Sequence, residues 1–230
     1  MRKSSSEFNK SIVYEPREKR EGNQCAGMFD ARCPDEGRVC IHGEVIEETG
    51  ENETADGMRL LFSIDSKDYG ECTHTYIRNS ARSIIIRNGR IAMVHSLKYD
   101  YYKFPGGGIE EGEETADAAV RETMEEAGLK VIRNSVEPYG YVHRIQKSTS
   151  DETECFIQDN LYYLCETEET PGKQKLDDYE AEEQFTLEFV APEEAIRTNR
   201  ADTHGPKDRR SLEREAKVLE LLIAEGYFIS

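Results

Sequence analysis

Residues 107–129 constrain this chain more than any other stretch. Glycines at 106, 107 and 108 lead through Glu110-Glu111-Gly112-Glu113 into a segment in which Ala116, Ala119, Val120, Thr123, Met124 and Ala127 recur at three- and four-residue spacing. That period predicts a helix with one apolar face. Thr115 suits its N-cap, and Gly128 suits the left-handed residue that ends it. Between Glu110 and Glu126 eight residues are acidic and one, Arg121, is basic. Glu122, Glu125 and Glu126 stand three and four apart, so a helix projects their carboxylates to one side, about a turn apart. A solvated acidic face is the plain alternative. Against it, like charges at this spacing cost about 0.2–0.5 kcal/mol per pair, and a structural face would interleave lysines. These acids also crowd the C-terminal end of the helix, where the macrodipole disfavours them. Carboxylates that break two local rules point to a function, and holding hard cations is the simplest one.

The spacing is specific. Gly107, five residues, Glu113, seven residues, then Arg121-Glu122-x-x-Glu125-Glu126-x-Gly128-Leu129 resembles a complete Nudix box, with Thr123 where the family usually carries a bulky aliphatic residue. Phe104-Pro-Gly-Gly before the box and Glu188-Phe-Val-Ala-Pro-Glu-Glu-Ala-Ile196 after it also resemble family elements, so the likeness spans roughly residues 59–225. The resemblance implies an α/β/α sandwich around a mixed β-sheet. It also implies hydrolysis of a pyrophosphate bond in a small nucleoside-diphosphate-linked substrate, with Mg²⁺ or Mn²⁺ as cofactor. By the same resemblance Gly107, through its carbonyl, and Glu122, Glu125 and Glu126 are the metal ligands. Glu122 or Glu126 can also orient or deprotonate the water, and Arg121 holds Glu113 to orient the helix. Many family members carry a further acid in the loop before the last strand. Here 177–183 fills that loop, and Glu180, Glu182 and Glu183 compete for the role of base, a solvated acidic loop being the alternative. The catalytic set is therefore Glu113, Arg121, Glu122, Glu126 and Glu183, with the choice among the three loop glutamates open.

Tyr102, Phe104 and Arg144 are the substrate-binding candidates, although aromatics beside a strand also serve as packing. The 204–207 loop, His-Gly-Pro-Lys, is a candidate lid. Two rival functions stand beside the hydrolase. One is a catalytically silent ligand sensor of Nudix fold, which would usually show a degraded box. The other is a hydrolase of non-nucleotide diphosphates such as isoprenoid or inositol compounds.

Charge limits the partners. With 47 acidic against 30 basic residues, net −17, the chain lacks the basic footprint of a nucleic-acid polymer or an anionic membrane surface. A nucleotide remains compatible where cations invert the local field. A homodimer stays open. Cys25, Cys33, Cys40, Cys72, Cys155 and Cys165 form no Cys-x-x-Cys pair, and the spacing of Cys25, Cys33, Cys40 and His42 matches no common zinc site. They read as free thiols of a reducing, cytoplasmic compartment. No apolar run approaches the ~18 residues of a membrane span.

Residues 1–57 read as a polar extension, disordered or loosely attached, with Val39–Ile46 as their one weakly alternating, strand-like piece. Residues 58–230 form the expected hydrolase domain. Strands are predicted over 58–64, 81–87 and 90–96, the last two joined by the hairpin signal Asn88-Gly89. Further strands are predicted over 139–147, 157–166 and 184–190, a short helix from Pro192 and a closing helix over 208–225. Strands and helices mixed in this way define an α/β class.

Overall fold

A computed structural model describes residues 57–228, together with the backbone of 38–41 and 44–47. In chain order the strands before the box helix are β1 (Arg38–Ile41), β2 (Glu44–Glu47), β3 (Leu60–Asp65), β4 (His74–Ile77), β5 (Ser80–Ile84), β6 (Ile86–Arg87), β7 (Arg90–Ser96), β8 (Tyr101–Lys103) and β9 (Gly106–Gly108). The box helix α1 (Thr115–Ala127) follows, then β10 (Glu137–Lys147), β11 (Glu154–Leu164), α2 (Asp178–Glu182), β12 (Phe185–Val190), α3 (Pro192–Asn199) and α4 (Arg209–Ala224).

One sheet runs β3-β10-β11-β5-β9, with β4 also paired to β11. It is mixed: β10 and β11 are antiparallel, whereas β3 and β5 join it in parallel. The second sheet, β12-β7-β6 with β8 on β7, is antiparallel throughout. Within strands, successive side chains enter different cores, as the period of two requires. Ala92 and Val94 of β7 and Leu161 and Tyr163 of β11 pack in one core with Ala118, Ala119 and Ala127 of α1. Ile91 and Met93 of β7 and Tyr162 of β11 pack in the other with Ala195 of α3 and Val218, Leu219 and Leu222 of α4. Helices therefore cover both faces of the strands, the α/β/α layering that the family resemblance implies.

Several local expectations hold. The Asn88-Gly89 turn has positive φ at both residues, 51° and 69°, and joins Arg87 to Arg90. Pro192 opens α3, and Gly128 ends α1 at φ 66°. Others are corrected. Glu114, not Thr115, is the N-cap of α1, and the Thr115 hydroxyl pairs instead with that of Tyr163. The buried face of α1 comprises Ala118, Ala119, Thr123, Glu126 and Ala127, while Met124 is exposed. Thr123 fits where an aliphatic residue is usual because its hydroxyl donates to the Ala119 carbonyl and pairs with the Ser83 hydroxyl, both at 2.7 Å. The 177–183 segment, read as a loop, holds the helix α2. Asp177 and Glu180 close a capping box across its first turn.

The Val39–Ile46 piece forms the antiparallel pair β1-β2, with Val39 opposite Ile46. Cys25, Cys33, Cys40 and His42, whose spacing matches no common zinc site, lie outside the residues whose side chains are described. Met58 is 2% exposed in the core beneath α1, and burying such a side chain is worth about 1.5–3 kcal/mol. We propose that the folding unit begins no later than Met58 and needs nothing before it. A chain of residues 58–230 should melt within about 2 °C of the full chain, the shift that well under 1 kcal/mol produces at this size. A drop of several degrees in calorimetry would assign the preceding residues a structural role.

Candidate functional site

The site is assembled where α1 meets the glycine strand β9. β9 pairs with β5 in the register Ala81↔Gly107 and Arg82↔Gly106. At Gly106, φ is +148°, and a Cβ would lie 2.3 Å from the Ala81 carbonyl oxygen, so only glycine fits. At Gly107 a Cβ would stand 2.5 Å from the Glu122 carboxylate, which places that carboxylate directly against backbone.

Arg121 organises the entry. Its Nε and Nη2 donate to the two oxygens of Glu113, both at 2.8 Å, and Nη2 also reaches the Gly108 carbonyl at 3.0 Å. Such a bidentate pair fixes geometry as well as charge. Arg121 holds the Glu113 carboxyl down at about 2. Nη1 donates to Glu122 at 2.7 Å and to Glu125 at 3.3 Å. Glu113 and Arg121 thus form the structural pair expected of them, with Arg121 also restraining two of the box carboxylates.

Glu126 faces inward and is 1% exposed. It accepts from the Gly106 amide at 3.0 Å and pairs with Lys103 Nζ at 2.5 Å. Burial raises the Glu122 carboxyl above its ordinary value, Arg121 opposing and Glu126 adding. Glu125 is the most open of the three and also meets Lys175 at 3.5 Å. Among the described residues no three His, Cys, Asp or Glu side chains converge as a ready-made metal site. The box carboxylates are instead neutralised by Arg121, Lys103 and Lys175. Their chemistry still suits a hard divalent cation: every candidate donor is a carboxylate or carbonyl oxygen, and Gly107 removes the one Cβ that would fill the space beside Glu122.

The three loop glutamates separate clearly. Glu182 pairs with Lys98 at 2.7 Å on the surface. Glu183 accepts from Tyr101 Oη at 2.5 Å and from Ser96 Oγ at 3.2 Å, which ties α2 to the end of β7. Glu180 alone reaches the box. It is 4% exposed, accepts from Tyr179 Oη at 3.0 Å and from the Asp177 amide at 2.9 Å, and sits beside Glu126. Burial first, and the Glu126 carboxyl second, raise its pKa to about 7. Because that value lies above the ordinary 4.5, the stability it contributes is fully present below pH ~4.3 and is lost as pH rises through about 7. Denaturant titrations of the metal-free protein should therefore show a decline over this window that Glu180→Gln removes. Equal slopes for the two proteins would contradict the placement.

The three substrate-binding candidates are placed elsewhere. Tyr102 is 5% exposed, stacked on His95 at 4.2 Å and bonded to Glu188 at 2.9 Å. Phe104 is fully buried, edge-on to Tyr162. Arg144 is buried too, donating to Gln146 and to Ser211 and pairing with Asp208. These contacts are packing and helix anchoring. Lys103 is a residue beside the box that the sequence did not single out, whereas Glu180 was one of the three loop glutamates it left open. Lys103 directly precedes Phe104-Pro-Gly-Gly, and Glu180 closes an Asp-x-x-Glu capping box.

The NUDIX domain model matches residues 77–214, more than half of the chain. The chain therefore belongs to the Nudix family and is a Nudix hydrolase. Similar solved structures include the E. coli ORF135 protein, at 22% identity and TM-score 0.45 over 66% of this chain and 94% of that one. A NUDIX hydrolase from Nitrosomonas europaea is similar at 15% identity and TM-score 0.45, over 62% and 90% of the two chains. A MutT structure, from work on Aliivibrio salmonicida and Vibrio cholerae, is similar at 18% identity and TM-score 0.43, over 65% and 99%. Among the described residues no helix is long and apolar enough to cross a membrane.

Proposed function

We propose that this protein hydrolyses a pyrophosphate bond in a small nucleoside-diphosphate-linked substrate, with Mg²⁺ or Mn²⁺ held by Glu122, Glu125, Glu126 and the Gly107 carbonyl. The observation that carries this reading is the pairing of Glu126 with Glu180. Two carboxyls side by side and almost fully buried repel one another, and Lys103, paired with Glu126, offsets only one of the two charges. A bound divalent cation supplies neutralisation of the diphosphate charge and a lower pKa for the attacking water. The chain's own residues do the rest. Glu180 takes the proton as the water oxygen attacks phosphorus, and the bridging P–O bond breaks, leaving two phosphate-bearing products. Arg121, bound to Glu113 and to the Gly108 carbonyl, fixes the angle between α1 and the glycine strand. Glu183 serves in this scheme through Tyr101 and Ser96, outside the reaction itself.

An intact box argues against a silent sensor, since every charged position at which a silent domain would degrade is present. Cys72, Cys155 and Cys165 are free thiols, which suits the reducing cytoplasm. The test is product release from dinucleotides, nucleotide sugars, nucleoside triphosphates and prenyl diphosphates, with Mg²⁺, Mn²⁺ or a chelator. Cleavage of a nucleoside-diphosphate linkage that disappears with the chelator is expected. Cleavage of prenyl diphosphates alone would transfer the activity to non-nucleotide substrates.

A further inference from the structure

The 200–208 loop between α3 and α4 is fastened at both ends around one lysine. His204 Nδ1–H donates to the Tyr99 carbonyl at 3.1 Å. Gly205 lies at φ +56° against the Tyr99 ring, where a Cβ would come within 2.4 Å, so no other residue fits without displacing the loop. The Lys207 amide closes a turn on the His204 carbonyl at 3.2 Å. Asp208 then caps α4 through the Arg210 amide at 3.1 Å and is held by Arg144.

Lys207 is thereby placed in an environment that does not suit a lysine. Its Nζ stands 4.7 Å over the Tyr101 ring, and among the described residues no carboxylate lies within ion-pairing distance. The charged groups around it are Lys103, Arg82, Glu183 and Glu215. Two of the four repel it, and Lys103 is the cation already paired with the box residue Glu126. Arg82 is itself buried, and its Nε has no hydrogen-bond partner. Burial, with Lys103 second, lowers the Lys207 ammonium to about 8. The Tyr101 face offsets only part of that cost. In a chain of net charge −17, carboxylates to pair this lysine are abundant, yet the loop holds it near two cations, with Glu183 and Glu215 beyond ion-pairing distance. A rigidly placed ammonium lacking its counter-ion, next to a diphosphate site, is matched by an anion.

We propose that Lys207, with Lys103 beside it, forms a phosphoryl subsite adjoining the box. The substrate then carries an anionic phosphoryl group in addition to the diphosphate that is cut. This inference rests on the hydrolase reading for its substrate class, and not for the anion binding itself. The extra group has two sources: the terminal phosphate of a triphosphate, or a phosphomonoester elsewhere on the substrate.

The test uses the full chain, Lys207→Met, which keeps the stem over Tyr101, and Lys207→Arg, which keeps the charge. Inorganic phosphate is titrated calorimetrically into metal-free protein, and kinetics are measured on matched substrates with and without each extra phosphate. Lys207→Met should weaken phosphate binding tenfold or more, the scale of one charge-assisted hydrogen bond. It should raise KM about as much for the phosphate-bearing substrate while kcat stays near wild type, and Lys207→Arg should recover most of both. Whether the triphosphate or the phosphomonoester responds identifies the source. Unchanged phosphate affinity in Lys207→Met, or an equal rise in KM with and without the extra phosphate, would overturn the subsite. Should Lys207→Met unfold, Lys207→Gln is read by the same criteria. Loss of phosphate binding in a protein that cleaves no diphosphate would instead sink the hydrolase reading and leave the subsite standing.

Discussion

Glu126→Gln should lower kcat at least ~10²-fold, the usual cost of removing a preorganised electrostatic contact from a reacting centre. The substitution keeps size and one acceptor oxygen, enough for either the Gly106 amide or Lys103, which bond to different oxygens of Glu126 in the folded protein. Secondary structure and cooperative melting should therefore survive, even though removing one charge of a buried pair carries a stability cost. Glu125→Gln should move in the same direction by less, because Glu125 is the more open carboxylate and is shared with Lys175. Near-normal turnover of both variants at saturating Mg²⁺ would show that the box carboxylates do not hold the cation.

Glu180→Gln should cost about 10²–10⁴-fold in kcat, the range a general base contributes, with KM little changed. Glu182→Gln, on the surface against Lys98, and Glu183→Gln, bonded to Tyr101, should remain near wild type by comparison. The three-way comparison is informative because these residues lie within four positions of one another yet face different surroundings. Equal and small effects at all three would return the proton transfer to the box helix.

The limits of the sequence follow from the range of each signal. Features set within a few residues were legible: the span of α1, its Gly128 terminus and the Asn88-Gly89 hairpin, while the Arg121–Glu113 pair followed from the family resemblance. The strand β9 was not, because three glycines carry no side-chain alternation. It exists because Gly106 and Gly107 admit the backbone of β5 and the Glu122 carboxylate at distances that a Cβ would forbid. Tyr102, Phe104 and Arg144 were ambiguous for a related reason: a short strand does not announce which face is buried. Glu126 offered a clue that went unread. It falls in helical phase with Ala119 and Thr123, on the side of α1 that packs inward, whereas Met124 does not. The Glu126–Glu180 pairing could not be read at all, since it joins side chains of two elements, α1 and α2, that are far apart in the chain.

Cleavage in ¹⁸O-labelled water tests the central claim most directly. With Mg²⁺ or Mn²⁺, the wild-type chain should place one labelled oxygen on one of the two phosphate-bearing products per turnover, as direct attack of water on phosphorus requires, and a chelator should abolish it. Glu126→Gln and Glu180→Gln should give the same labelled product, only slowly. Products without label, or labelled products formed equally well in chelator, would contradict hydrolysis at a cation held by the box.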